Sequence, residues 1–311
     1  MVRLGFVGLG KMGVRIAERL QAQGHDVVIT SRRASSAAAL VADGARWVDS
    51  PREVAAACKL VFMALPSPDV VESVATGPDG LIEGLAAGSV VFDLSTNSPS
   101  VVRRLEEIFR AKGVDFLDAP VSGGPRGAAS GKLAMWVGGD RTAFDRHKSL
   151  LDMIADRARH VGPAGSGSIA KLVHNCAQYA LNCVLAEVFT LGVKAGIEPL
   201  ALFGAVRDGT LGRRRTFDGL IDQFLPGEFD SPNFALSLAT KDVLLATELA
   251  RELCVPMRMG NLALAEMTEA LSRGWGERDS RVAMLLQEER AGVAIAVERD
   301  AIDRLLLLET S

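Results

Sequence analysis

Two periodicities divide this 311-residue sequence. Up to about residue 164, short apolar runs alternate with amphipathic stretches; beyond it only helical spacing is found. Arg3–Val7 (RLGFV), Asp26–Thr30 (DVVIT), Leu60–Ala64 (LVFMA), Ser89–Asp93 (SVVFD), Asp115–Asp118 and Leu133–Val137 (LAMWV) predict strands, and Ala45–Val48 a shorter one. The stretch VRIAERLQAQG after Gly13 has helical spacing, and Ser50-Pro51-Arg52-Glu53 opens a helix with capping-box spacing. In the second half, helical patterns start at Ala170, Pro199, Thr216, Phe234 and Asn261, and again after Ser280. Pro199, Pro226, Pro232 and Pro256 mark boundaries between them. The pattern predicts an α/β N-terminal domain, residues 1–164, followed by an all-α C-terminal domain, residues 165–311, joined by a long bridging helix.

That bridging helix has the longest uninterrupted helical pattern. Lys171, Asn175, Gln178 and Asn182 recur at spacings of four, three and four, so a helix lines them up in one polar stripe. Leu172, Cys176, Tyr179 and Cys183 flank it on one side, and Ile169, Val173, Ala177, Ala180 and Val184 on the other. Such a helix is expected to be mostly buried, with its stripe facing a cleft. A lysine there is partly desolvated and able to exchange a proton, unless it simply snorkels to solvent.

The turn after the first strand is Gly8-Leu9-Gly10-Lys11-Met12-Gly13, followed by a helix. Strand, G-x-G-x-x-G and helix in that order form a dinucleotide-binding junction, with the pyrophosphate at the helix N-terminus. Where an NAD site usually has an acid, the second strand ends in Thr30-Ser31-Arg32-Arg33. A hydroxyl and two guanidinium groups suit a ribose 2′-phosphate, so NADP(H) is favoured over NAD(H). Two solvated arginines are the alternative, although a helix start is a poor place for cations. The loops Leu65-Pro66-Ser67-Pro68 and Leu94-Ser95-Thr96-Asn97-Ser98-Pro99 suit the ligand edge of a parallel sheet, as does Val121-Ser122-Gly123-Gly124-Pro125.

Composition adds exclusions. The chain is 48% hydrophobic and 23% charged with net charge −3, which argues against a nucleic-acid partner. No secretory leader is expected, nor any apolar run approaching the roughly 20 residues of a membrane span. The expectation is a cytoplasmic protein whose scattered Cys58, Cys176, Cys183 and Cys254 are reduced and buried. No Cys/His cluster has metal spacing. Arg213-Arg214-Arg215 reads as a solvated loop cluster or, more sharply, as a carboxylate site.

Four stretches together resemble the β-hydroxyacid dehydrogenase family, the group of 3-hydroxyisobutyrate dehydrogenase, tartronate semialdehyde reductase and glyoxylate reductases. They are GFVGLGKMG from Gly5, DLSTNSP from Asp93, DAPVSGGPRGA from Asp118 and GSGSIAKLVHN from Gly165; ATKDVLLA from Ala239 fits the family's Lys-Asp motif. The resemblance spans roughly residues 3 to 290. It implies a Rossmann-like domain, an all-α domain and a homodimer or homotetramer formed through the helical domain. It implies that Lys171 is the catalytic acid/base and that Asn175, Ser122, Gly123 and Gly124 bind a small carboxylate-bearing substrate. For the cofactor it implies contacts from Gly8, Leu9, Gly10, Met12 and Gly13, from Leu65, Pro66 and Thr96, and from Lys241, beside Ser31, Arg32 and Arg33. There are two departures. The family often has two asparagines after the lysine; here the first is His174, expected to point away from the Lys171–Asn175 face. The last twenty or so residues run beyond the usual end and suggest an extra helix. The expected activity is hydride transfer between nicotinamide and a small 3-hydroxyacid or its semialdehyde. An imine reductase of the same layout and a non-catalytic cofactor-binding module are the alternatives; the intact lysine and substrate loop argue against both.

Overall fold

A computed structural model describes residues 2–213 and 216–310, so Arg214 and Arg215 of the basic cluster lie outside the described residues. The chain divides into two compact units, Met1–Ala177 and Gln178–Ser311, the division falling inside the bridging helix, Ser166–Lys194.

The first unit is a nine-stranded sheet covered by helices. Its strands are β1 (Arg3–Val7), β2 (Asp26–Thr30), β3 (Arg46–Trp47), β4 (Leu60–Met63), β5 (Val90–Asp93), β6 (Asp115–Asp118), β7 (Val121–Ser122), β8 (Leu133–Gly138) and β9 (Ala155–Gly162). The order is β3-β2-β1-β4-β5-β6-β8-β7, with β9 also on β8. Pairing is parallel from β3 through β6; β8 runs antiparallel to β6 and β7 and parallel to β9. Alternate side chains enter opposite faces. Phe6, Phe62 and Phe92 stack along one face, centroids 6.2 and 5.5 Å apart. Val7, Val61, Met63 and Val91 fill the other with Val102, Leu105 and Phe109. Ser50 caps the helix Pro51–Ala57 as its spacing predicts, its hydroxyl accepting from the Glu53 amide at 3.2 Å.

The sequence reading missed two strands. β7 has two residues, and β9 (ADRARHVG) carries arginines where an alternating pattern would show apolar positions. Beyond the bridging helix the described elements are helical, with cores at Phe224, Phe229, Leu236 and Val282 and at Leu191, Ala250, Val255 and Met257. The helix expected from Thr216 does not form: only the 3-10 turn Asp218–Leu220 does, in a stretch holding Gly219, Pro226 and Gly227. Arg213 ends a short helix, Thr210–Arg213, rather than sitting in a loop. The C-terminal residues form the extra helix, Arg299–Thr310.

Three expectations, on the bridging helix and on the cysteines, need correction. The helix's apolar rows are not buried within this chain: Val173 and Tyr179 are each 65% exposed, and Leu181, Leu185 and Val188 are exposed too. Cys176 and Cys183 are exposed with them, as is Cys254; only Cys58 is buried, and burial pushes its thiol up to about 11. By length and composition the helix is also apolar enough to cross a membrane, because its polar stripe is narrow.

Candidate active site

The parallel strands β1, β2, β4, β5 and β6 all end at one sheet edge, where a doubly wound fold binds ligands. At the first turn Gly8 has φ +98°, and a Cβ there would lie 2.4 Å from the Ala64 carbonyl oxygen. A Cβ on Gly13 would lie 1.9 Å from the Gly8 oxygen, so the helix Gly13–Ala22 starts hard against the turn. A Cβ on Gly10 would meet nothing within 4 Å. That open approach to bare backbone, in front of a helix N-terminus, fits a dinucleotide pyrophosphate. Leu9 is buried beneath it, and Met12 packs on the same core. The Ser31 hydroxyl accepts from the Leu9 amide at 3.3 Å, tying the end of β2 to the turn. Arg32 and Arg33 are exposed, and neither has an ion-pair partner among the described residues.

A buried acid organises the next two loops. Asp93, fully buried at the end of β5, accepts from the Ser95 amide at 3.0 Å and from Asn97 Nδ2 at 2.9 Å. The Ser95 hydroxyl in turn accepts from the Leu65 amide at 2.9 Å. Thr96 is thereby exposed between two buried neighbours, next to the loop that exposes Pro66. Burial, only partly offset by these hydrogen bonds, pushes the Asp93 carboxyl up to about 6 from 3.8. Between those values the unfolded chain has released the proton and the folded one keeps it. The stability Asp93 contributes is therefore full below about pH 4 and is lost as pH rises through about 6. In urea unfolding, wild type should lose about 3 kcal/mol relative to Asp93→Asn between pH 4 and 7. A difference that does not vary with pH contradicts this.

A second buried acid, Asp118, faces Asp93 in register and anchors the bridging helix. Its carboxylate accepts from the Gly165 amide at 2.9 Å and the Ser168 amide at 2.6 Å, satisfying free donors at the helix start. Glycines make the approach feasible: a Cβ on Gly138 would lie 2.4 Å from Asp118 Oδ1, and one on Gly167 would lie 2.4 Å from the Trp136 carbonyl.

This anchoring sets Lys171 one turn into the helix, only 8% exposed. Burial lowers its pKa below the ordinary lysine value, and no carboxylate pairs with it among the described residues. Asn175 is half-buried one turn on. Contrary to the sequence expectation, His174 points into the site: its Nε2 is 3.2 Å from the Ser122 hydroxyl, and its ring packs on Trp136. Positions three and four residues on are equally near neighbours on a helix, so His174 and Asn175 straddle the Lys171 row. Burial, then the Lys171 charge, lowers the His174 pKa. Gly123 (φ +133°) and Gly124 (φ +63°) turn the chain after Ser122 into the helix Gly124–Ser130. Lys241 belongs to the second unit, on the helix Leu236–Glu252, where its Nζ pairs with Asp242 at 3.0 Å. The first unit thus brings together Ser122, Lys171 and His174; reading from the sequence missed Asp93, Asp118, Trp136 and the role of His174.

Residues 3–162 match the model of the NAD-binding domain of 6-phosphogluconate dehydrogenase, and residues 165–287 match "NAD-binding of NADP-dependent 3-hydroxyisobutyrate dehydrogenase". The chain is 32% identical over 295 residues to the 2-(hydroxymethyl)glutarate dehydrogenase of Eubacterium barkeri, covering 95% of this chain and 98% of that one. The chain belongs to the β-hydroxyacid dehydrogenase family. As a member it is an NAD(P)-dependent oxidoreductase of the hydroxyacid type. Among solved structures it resembles the 3-hydroxyisobutyrate dehydrogenase of Mycobacterium tuberculosis with L-serine (TM-score 0.65, 28% identity, 92% of this chain and 99% of that one). It also resembles an imine reductase from Myxococcus stipitatus (TM-score 0.81, 91% of this chain and 98% of that one), at 16% identity a likeness of fold alone.

Proposed function

We propose that this protein is an NADP(H)-dependent dehydrogenase/reductase of a small acid carrying a hydroxymethyl group beside its carboxylate, with Lys171 as general acid/base. The observation that carries the reading is Lys171 itself: nearly buried, without a carboxylate partner among the described residues, and depressed in pKa. A lysine so placed gives a proton to a carbonyl oxygen in reduction and takes one from the alcohol in oxidation. The bound nicotinamide supplies the hydride chemistry. Asn175 and the Ser122–Gly124 loop, where a Cβ on Gly124 would meet nothing within 4 Å, hold substrate hydroxyl and carboxylate. The substrate class draws on the relatives: 2-(hydroxymethyl)glutarate, 3-hydroxyisobutyrate and L-serine share a hydroxymethyl group on the carbon next to a carboxylate. Oxidation of NADPH, followed by its absorbance, with a panel of such semialdehydes tests the reading; no turnover on any of them overturns it.

Preference for the 2′-phosphate rests on Ser31, Arg32 and Arg33, where the end of β2 has no acid. Arg32→Asp should raise the Kd for NADPH far more than that for NADH, since a charge-assisted contact becomes a repulsion. Equal wild-type affinity for the two cofactors would count against it. Lys241 is included as a cofactor contact on the family pattern. On the same proposal the enzyme is soluble, cytoplasmic and a homodimer or homotetramer; the exposed apolar rows of the bridging helix support association.

A further inference from the structure

We propose that Trp136 is a positioning residue of this site: its indole is the shared surface against which Lys171 and His174 are set. This deepens the function proposed above and rests on it. Trp136 lies on β8, whose Leu133, Met135 and Val137 enter the core; the alternation of a strand turns Trp136 to the opposite face. There its ring centroid is 5.9 Å from Lys171 Nζ and 5.2 Å from the His174 ring, inclined at 43°. Its backbone is held on both sides. The Trp136 amide donates to the Pro120 carbonyl at 3.2 Å, and its own carbonyl lies where only a glycine, Gly167, can pass. The indole is thus fixed to the strand pair that carries Ser122, while the two side chains it touches come from the bridging helix.

The charges around Lys171 give this contact its purpose. β7 (VS) and β8 (LAMWVG) bring no charged side chain, the helix brings His174, and β9 brings Arg159 in register with Trp136. None of these is an anion, and Asp118 of β6, the acid at the helix start, has its two carboxylate oxygens on the Gly165 and Ser168 amides and pairs with no lysine among the described residues. The ring face of an indole is the negative end of its quadrupole and attracts an ammonium. It therefore opposes burial, holding enough of Lys171 charged to donate a proton while leaving it able to accept one. A carboxylate in the same place would lock the charge on.

Three replacements separate this role from simple packing. Trp136→Leu keeps an apolar side chain and loses the ring; Trp136→Phe keeps a ring face. Fluorinated tryptophan, incorporated during expression, keeps the shape and withdraws charge from the face. Lys171 is titrated by NMR in substrate-free protein labelled with 13C-lysine, its signal assigned by its absence from Lys171→Arg. The Lys171 titration should move to lower pH in Trp136→Leu and in the fluorinated protein, and stay near wild type in Trp136→Phe. In turnover, kcat of Trp136→Leu should fall roughly 3- to 30-fold, the span of a cation–π contact expressed as a rate. The alkaline limb of its reduction profile should move the same way, with KM for NADPH unchanged and Trp136→Phe largely rescued. A Lys171 titration unmoved by the fluorinated ring overturns the proposal, and so does equal impairment of the Leu and Phe variants with an unmoved pH profile. Absence of any turnover in wild type would sink the proposed function, yet the substrate-free titration would still read Trp136.

Discussion

Lys171→Ala is expected to lower turnover by about a hundred- to ten-thousand-fold, the usual contribution of a positioned general acid/base, while NADPH affinity stays close to wild type. The cofactor turn is held by contacts that do not involve the lysine: Gly8 amide to Thr30 carbonyl at 3.0 Å, and Leu9 amide to Ser31 hydroxyl at 3.3 Å. Lys171→Arg should rescue poorly, because a guanidinium stays protonated across the working range and cannot pass a proton on. Lys171→Met is the stability control. It removes a buried cation that no carboxylate pairs with among the described residues and keeps the apolar stem, so the melting temperature should hold or rise. Steady-state kinetics with NADPH titration and thermal unfolding decide between the roles. Near-normal turnover in Lys171→Ala would remove the lysine from the chemistry, and joint loss of NADPH binding and stability would make it structural.

The parts of this protein legible in its sequence are those where one local rule acts alone. Apolar runs leading into loops of glycine, proline and hydroxyl residues mark β1, β2, β4, β5 and β6, because strands buried on both faces are filled mainly by apolar side chains. The G-x-G-x-x-G turn is readable because each glycine answers a separate steric demand, at Gly8 and Gly13 a collision and at Gly10 an open approach. What stayed hidden depends on contacts between distant segments. β9 is held by pairing with β8, not by an apolar pattern of its own. His174 looks like a misplaced neighbour of Asn175 until β7 brings Ser122, 52 residues earlier, to its Nε2. Asp93 and Asp118 read as strand-end acids; nothing local reveals that both are fully buried, one binding its own loop and the other a helix 47 residues downstream. The apolar rows of the bridging helix have the pattern of buried surface and are exposed in the single chain, since periodicity records that a face is to be covered without recording by what.

Asp118→Ala should therefore damage the site without touching a residue that meets substrate. Its carboxylate takes two amides, from Gly165 and Ser168, in a place with no room for solvent to replace it: Asp118 has no exposed surface. Hydrogen bonds to a charged group contribute about 1.5–3 kcal/mol each, so losing both should destabilise the first unit by roughly 3–6 kcal/mol. At about 2–4 °C per kcal/mol for a unit of this size, the melting temperature should drop on the order of 10 °C. Asp118→Asn is the sharper variant. It keeps the shape and one acceptor oxygen, but turns an NH2 group toward one of the two amides, leaving donor against donor. It should lose about half as much stability as Asp118→Ala, and its kcat should fall while its Kd for NADPH changes little. The reason is mechanical: the Asp118 carboxylate fixes the start of the helix against the end of β6, and Lys171 is three residues past the amide of Ser168. If Asp118→Asn kept wild-type turnover and wild-type stability, the capping bonds would carry neither the fold nor the lysine, and the placement of Lys171 would have to come from Gly167 and Trp136 alone.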